Sequence, residues 1–275
     1  MNEDKPLVTI LLPVHNGERY IKEAIDSCIK QTYENIEILV VNDASTDNTK
    51  NILNEYGDRI RVLDIKKQNS LGSVLNIGIQ ASNGSYIARM DADDIMYPTR
   101  IEKQVEVLEK NKDIVAVGGQ IDVIDEDGNI TGEREYALED KDIRRTFFWS
   151  QPFAHPSVMF RKDIALGIGM YPEDLPKVED VKFFFKLSTK GKFANIPDKV
   201  LKYRMTFNTE SQAKMVDHFK RTNTVRKEVI KEFGIKPTFR QFVLWKLEIV
   251  TVFLIQKLPN KWFMNIFELA RKIFK

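Results

Sequence analysis

Three carboxylates within four positions, Asp91-Ala92-Asp93-Asp94, close the run Tyr86-Ile87-Ala88-Arg89-Met90, which has the β-branched and aromatic character of a short strand. At an effective dielectric of about 20, two carboxylates about 4 Å apart repel by roughly 4 kcal/mol, so a folded cluster needs a cation, a proton or side chains splayed outward. A divalent ion meets that need. Hard oxygen ligands suit magnesium or manganese, which take one or two protein carboxylates and complete their shell with phosphate oxygens. The same spacing also fits an acidic turn that caps the helix expected from Pro98. Neighbouring elements have to decide between the two.

Val8 to Leu12, Ile36 to Val41 and Ile60 to Ile65 are further apolar runs of strand length, the first closed by Pro13. Helical patterns follow them, over Glu18 to Gln31, up to Tyr56, and over Ser73 to Ala81. This alternation predicts βαβ units and an α/β fold with a mainly parallel sheet covered on both faces. In such sheets ligands bind outside the carboxyl ends of the strands. His15-Asn16, Asp43 to Asp47 and Asp91 to Asp94 all follow strand ends and are expected along one edge. Each alone reads as a turn or a helix cap; together they point to a nucleotide site.

Further on, the pattern predicts a helix over Pro98 to Lys110, a strand over Ile114 to Ile121 and a hairpin turn at Asp125 to Gly128. Thr146 to Arg161 is aromatic and nearly uncharged, with His155-Pro156 in its middle, and also reads as plain core. Val178-Glu179-Asp180 opens a helix whose Phe183, Phe184 and Leu187 share a face, and acids in a first turn suit the helix dipole as well as chemistry.

With 275 residues, 43% of them hydrophobic, the chain can bury a substantial core. Its net charge of +2 divides unevenly: residues 213–275 carry 14 Lys/Arg and 5 Asp/Glu, a balance of +9, which leaves −7 for residues 1–212. A basic tail seeks an anionic neighbour, here a membrane surface rather than nucleic acid. From Lys261 to Lys275, Trp262, Phe263, Ile266, Phe267, Ala270, Ile273 and Phe274 recur on one helical face beside Arg271, Lys272 and Lys275. That pattern matches a peripheral anchor, or a helix packed on its own domain. The single Cys28 fits a reducing compartment. No secretory leader is recognised at the start and no run of 18 apolar residues occurs, so a cytoplasmic protein is expected, with an oligomer left open.

In order along the chain, Pro13-Val14-His15-Asn16, Asn42-Asp43-Ala44-Ser45-Thr46-Asp47, Asn76-Ile77-Gly78, Asp91-Ala92-Asp93-Asp94, His155-Pro156-Ser157-Val158-Met159 and Glu179-Asp180 resemble the motifs of the family 2 inverting glycosyltransferases, which have the GT-A fold. The resemblance runs from about Pro6 to Ser211 and implies a glycosyltransferase domain over 1–212, with a nucleotide-sugar half at 1–97 and an acceptor half at 98–212, followed by a basic helical extension at 213–275. It implies that Pro13, Val14, His15, Asn16, Asp43, Ser45, Asn76, Arg89 and Asp91 bind a UDP-sugar, with Asp43 on the uracil imide. Asp93 and Asp91 would hold manganese or magnesium at the diphosphate, and His155 and Asp94 would line the sugar. Asp180, seconded by Glu179, would be the base acting on a saccharide or lipid-linked saccharide acceptor of a bacterial surface glycan.

Two positions depart from the family pattern. Ala44 replaces a usual Gly, and Thr206 in Tyr203-Arg204-Met205-Thr206 stands where many relatives have His. A Gln-x-x-Arg-Trp signature of processive synthases is missing, so one sugar per encounter is expected. A nicotinamide or flavin enzyme is disfavoured because the first turn lacks G-x-G-x-x-G, and an aspartyl-nucleophile phosphatase because the acid pair follows the fourth strand instead of the first. A catalytically silent binding module is the remaining alternative, opposed by the presence of both Asp93 and Asp180.

Overall fold

The computed structural model describes residues 5–205 and 212–255. Its first half alternates β1 (Val8–Val14), α1 (Ile21–Ile29), β2 (Ile36–Asp43), α2 (Thr49–Asn54), β3 (Arg61–Ile65), α3 (Leu71–Ala81) and β4 (Tyr86–Arg89). These strands lie side by side in the order β3-β2-β1-β4, every pair parallel. β1 is buried along its whole length, as its unbroken apolar run requires of a strand covered on both faces. Ser70 caps α3 by accepting the Ser73 N–H. Gly78 lets that helix close on the sheet, because a Cβ there would collide with Leu11 and press on Val41.

The first strand differs from expectation at Pro13. β1 continues through it to Val14, with Pro13 opposite Val41. Pairing with β4 ends at Leu11 opposite Arg89, so beyond that point β1 has lost one neighbour and a residue without an N–H is tolerated. In the same way β2 runs on to Asp43, which places that carboxylate on the last residue of the strand.

Beyond β4 come β5 (Ile95–Met96), α4 (Arg100–Lys110), β6 (Ile114–Ile124), β7 (Ile130–Arg134), α5 (Asp140–Thr146), β8 (Met159–Arg161), α6 (Lys162–Gly167), α7 (Glu179–Ser188) and β9 (Lys192–Arg204). The sheet continues β4-β8-β6-β9-β5, with β8 antiparallel to both its neighbours, β6 and β9 parallel, and β7 in a hairpin on β6. Gly128, at φ +87°, makes the expected turn. One face buries Ile10, Leu12, Ile25, Ile101 and Leu108, and the other buries Leu11, Val41, Ile79, Phe160 and Phe183. The aromatic stretch after Thr146 belongs to the second face, where Phe153 meets Phe184 and Phe193 edge-on at 5.2 Å.

Two further helices, α8 (Gln212–Phe233) and α9 (Phe239–Ile255), are docked on this body. Val225 and Val229 of α8 enter the second core, and Lys182 of α7 pairs with Glu232 at 2.9 Å. α9 places Trp245 against Phe148 at 5.8 Å, and its Glu248 accepts from Arg226 at 2.6 Å. No helix among the described residues is long and apolar enough to cross a membrane. Thr206 and the basic helix expected over Lys261 to Lys275 lie outside the described residues.

Candidate active site

β1, β2 and β4 are adjacent and parallel, so the three polar clusters meet at one sheet edge. The first two are tied to each other. His15 Nδ1 lies 2.8 Å from the Asp43 carbonyl, Asn16 N–H donates to Ser45 Oγ at 2.9 Å, and Thr46 N–H returns a bond to Asn16 Oδ1 at 2.8 Å. Glu18 N–H donates to Asp47 while Asn48 N–H donates to Glu18. Asn16 and Ala44 adopt left-handed conformations at φ 54° and 52°. Asn tolerates that region; Ala does so at a cost of roughly 1–2 kcal/mol, which accounts physically for a Gly preference at position 44. Asp43 is buried, and its carboxylate accepts from Gln68 N–H and the Lys67 ammonium, each at 2.7 Å. Pro13 and Val14 are buried within β1.

At the third strand end, carboxylate oxygens of Asp91, Asp93 and Asp94 lie within 4.8 Å of one another. Arg89, buried at the end of β4, grips Asp91 with both terminal nitrogens, at 2.5 and 2.7 Å. Burial, with the Asp91 charge behind it, pushes the Asp93 carboxyl up to about 6. Asp94 is buried and driven well above the ordinary carboxylate range, by burial first and then by Asp91 and Asp93. Its Oδ1 accepts the Arg204 N–H at 2.9 Å, whereas its buried Oδ2 has no partner. An all-oxygen set with one unsatisfied buried acceptor fits a hard divalent cation, which would favour the ionised forms and release protons on binding.

His155 lies in a single 3-10 turn, with Nε2 2.9 Å from the Tyr171 hydroxyl. Burial and the nearby Arg89 charge hold its imidazole well below its usual range. Glu179 and Asp180 form the first turn of α7. Burial, then the Asp180 charge, raises Glu179 to about 7, and its Oε2 has no partner. Burial also raises Asp180 to about 6 against the opposing pull of its own Val181 N–H and of Arg89. Arg89 therefore lies within electrostatic reach of His155, Glu179, Asp180 and the acid cluster, and joins the two groups of carboxylates.

Asn76 has a different place from its neighbours in the motif order. Its buried amide donates to the Tyr171 carbonyl and Glu173 and accepts the Tyr171 N–H, so it tethers α3 to the segment leading into α7. The sequence reading missed Tyr171 and Lys67. Lys67 follows the end of β3, where the strand-end rule applied to the other clusters would have found it. Tyr171 follows Gly169 and Met170, both at positive φ, and nothing in its sequence surroundings marks it.

Glycosyl transferase family 2 matches residues 9–167, from the second residue of β1 to the end of α6. The chain belongs to this family. A Haemophilus influenzae relative named an uncharacterized glycosyltransferase is 36% identical over 228 residues, 76% of this chain and 68% of that one. Two Rickettsia relatives are matched over less of themselves, 58% of one and 31% of the other. Solved glycosyltransferases share the fold. S. aureus TarS 1–349 in complex with UDP-GlcNAc superimposes with a TM-score of 0.64 at 17% identity, over 81% of this chain and 66% of that one. The Pyrobaculum calidifontis mannosyltransferase PcManGT, in complex with GDP-Man and Mn2+, gives 0.59 at 18% identity, over 98% and 74%. This family 2 member thus has the GT-A arrangement, a mainly parallel sheet flanked by helices, with its acid cluster at the end of β4.

Proposed function

We propose that this glycosyltransferase moves one sugar per encounter, a hexosyl or N-acetylhexosaminyl group, from a UDP-sugar to a hydroxyl of a saccharide or lipid-linked saccharide, with inversion at the anomeric carbon. The observation that carries the reading is the desolvated pair Glu179 and Asp180 at the start of α7, which feels the charge of Arg89, the same residue that grips Asp91 of the acid cluster. Asp180, its carboxyl raised to about 6, is ionised at neutral pH yet basic enough to take the acceptor proton. As it does so the acceptor oxygen bonds to the anomeric carbon from one side and the diphosphate oxygen leaves from the other. Asp93 and Asp91 would hold manganese or magnesium, whose charge would offset that of the departing diphosphate. Asp43, fixed by Gln68 and Lys67, offers a carboxylate acceptor for the uracil imide N–H. Residues 1–97 would bind the donor and 98–212 the acceptor. The setting would be the cytoplasmic face of a bacterial membrane, in surface-polysaccharide synthesis.

Calorimetry of UDP binding with manganese, and again with EDTA, tests the donor side. Affinity should fall at least ~10-fold when the metal is withdrawn. Equal affinity in both conditions would overturn the metal-dependent donor site.

A further inference from the structure

Phe239, Phe242, Val243, Leu247, Val250 and Leu254 are all exposed, Phe239 to 85% of its surface. At 100° per residue they fall within an arc of about 140° along a helix about 25 Å long. The opposite arc carries the buried Gln241, Trp245 and Val252, which attach α9 to the body. Exposed apolar residues are ordinary when scattered, but six on one helical stripe are not. Lys246 lies within the stripe, over the Phe242 ring at 5.1 Å, and Arg240 at its edge.

We propose that this outer face of α9 is a lipid-docking surface that lies in the plane of an anionic membrane. Charge decides between the occupants such a stripe could take. Residues 212–255 contain nine Lys/Arg and four Asp/Glu, a balance of +5, and further cations follow in the sequence at Lys257, Lys261, Arg271, Lys272 and Lys275. A second copy seated on the same face would bring Lys246 and Arg240 of both copies into one contact with no carboxylate on the stripe to pair them, because a two-fold contact pairs a patch with itself. An anionic leaflet complements them, while aromatic and branched side chains between cations are what an interfacial helix buries at the headgroup boundary. The proposal does not depend on the donor, the acceptor or the metal.

The experiment uses the full chain with Val250→Cys labelled by an environment-sensitive dye; the other cysteine, Cys28, is fully buried. Vesicles of phosphatidylcholine with about 30% phosphatidylglycerol should produce a blue shift and several-fold brighter emission, neutral vesicles little of either, and added salt should weaken the response. In a flotation assay L247E/V250E should lower binding to the anionic vesicles at least ~10-fold while far-ultraviolet circular dichroism and UDP binding stay unchanged. Vesicle binding without a dye response would assign attachment to the residues after α9 and overturn the proposal. So would a dimer that L247E/V250E converts to monomer in a chain that ignores vesicles.

Discussion

Around Asn16, Ser45 and Asp47, each polar side chain meets another group of the same chain, so the loops after β1 and β2 form one cross-linked unit. At the start of α7 the opposite holds: Glu179 keeps a buried oxygen without a partner, and the hydrogen bonds to the Asp180 carboxylate come from backbone N–H groups of its own turn. Buried polar groups are normally paired, and those left unpaired mark places where something else completes the site. The loops after β1 and β2 are thus preorganised by the chain, whereas the α7 side and the acid cluster carry electrostatic strain that ligands would relieve.

The largest expected effect comes from the acid cluster. Asp93→Asn should lower transfer about 10³-fold and weaken manganese-dependent UDP binding, since it removes charge from both donor binding and departure of the diphosphate. Single-turnover transfer together with calorimetry reads both. Asp180→Asn should cost at least ~10²-fold in transfer and leave UDP affinity unchanged, because a base acts on the acceptor. If Glu179→Gln is the crippling change while Asp180→Asn stays active, the base lies one residue earlier and the contrast between the two regions moves with it.

A smaller effect appears with pH. A base must be ionised to work, and Asp180 is raised to about 6, so transfer should fall about tenfold per unit below that value and level off above about 7. Glu179→Gln should keep that acid limb, and Asp180→Asn should lose it. A limb near 4 in the parent protein would mean that the base is not desolvated in the working enzyme.

The difference between the regions also governs how much could be read from sequence. β1 to β4 announce themselves because a parallel strand buried on both faces is an unbroken apolar run, and the strand-end rule then places His15, Asp43 and Asp91 on one edge without further knowledge. β5, β8 and the outer part of β9 do not. β8 is three residues long and antiparallel to both neighbours, and what it packs on, with Phe160 edge-on to Phe183 of α7, is tertiary and leaves no periodic signal in so short a run. Arg89 is expected among the donor-binding residues by resemblance alone, and its reach towards both carboxylate groups cannot be read from the sequence because it depends on the path of α7. Asn76 carried a motif, but its amide could be assigned to the 171–173 segment only once that segment was in place.

The smallest effect tests whether the preorganised side holds strain of its own. Ala44 accepts φ 52° between Asp43 and Ser45, both of which are tied down, so relaxing it would move the carboxylate on one side or the hydroxyl on the other. Ala44→Gly removes the Cβ conflict, roughly 1–2 kcal/mol, but adds freedom to the unfolded chain that offsets about 0.5–1 kcal/mol of the gain. The net is a stabilisation of about 1 kcal/mol or less, read as a small rise in urea midpoint with unchanged slope. UDP affinity should hardly change, since the surrounding hydrogen bonds already fix the loop. A drop in stability would show that Ala44 is not strained there, and a marked gain in affinity would show that the loop after β2 is less preorganised than its bonds imply.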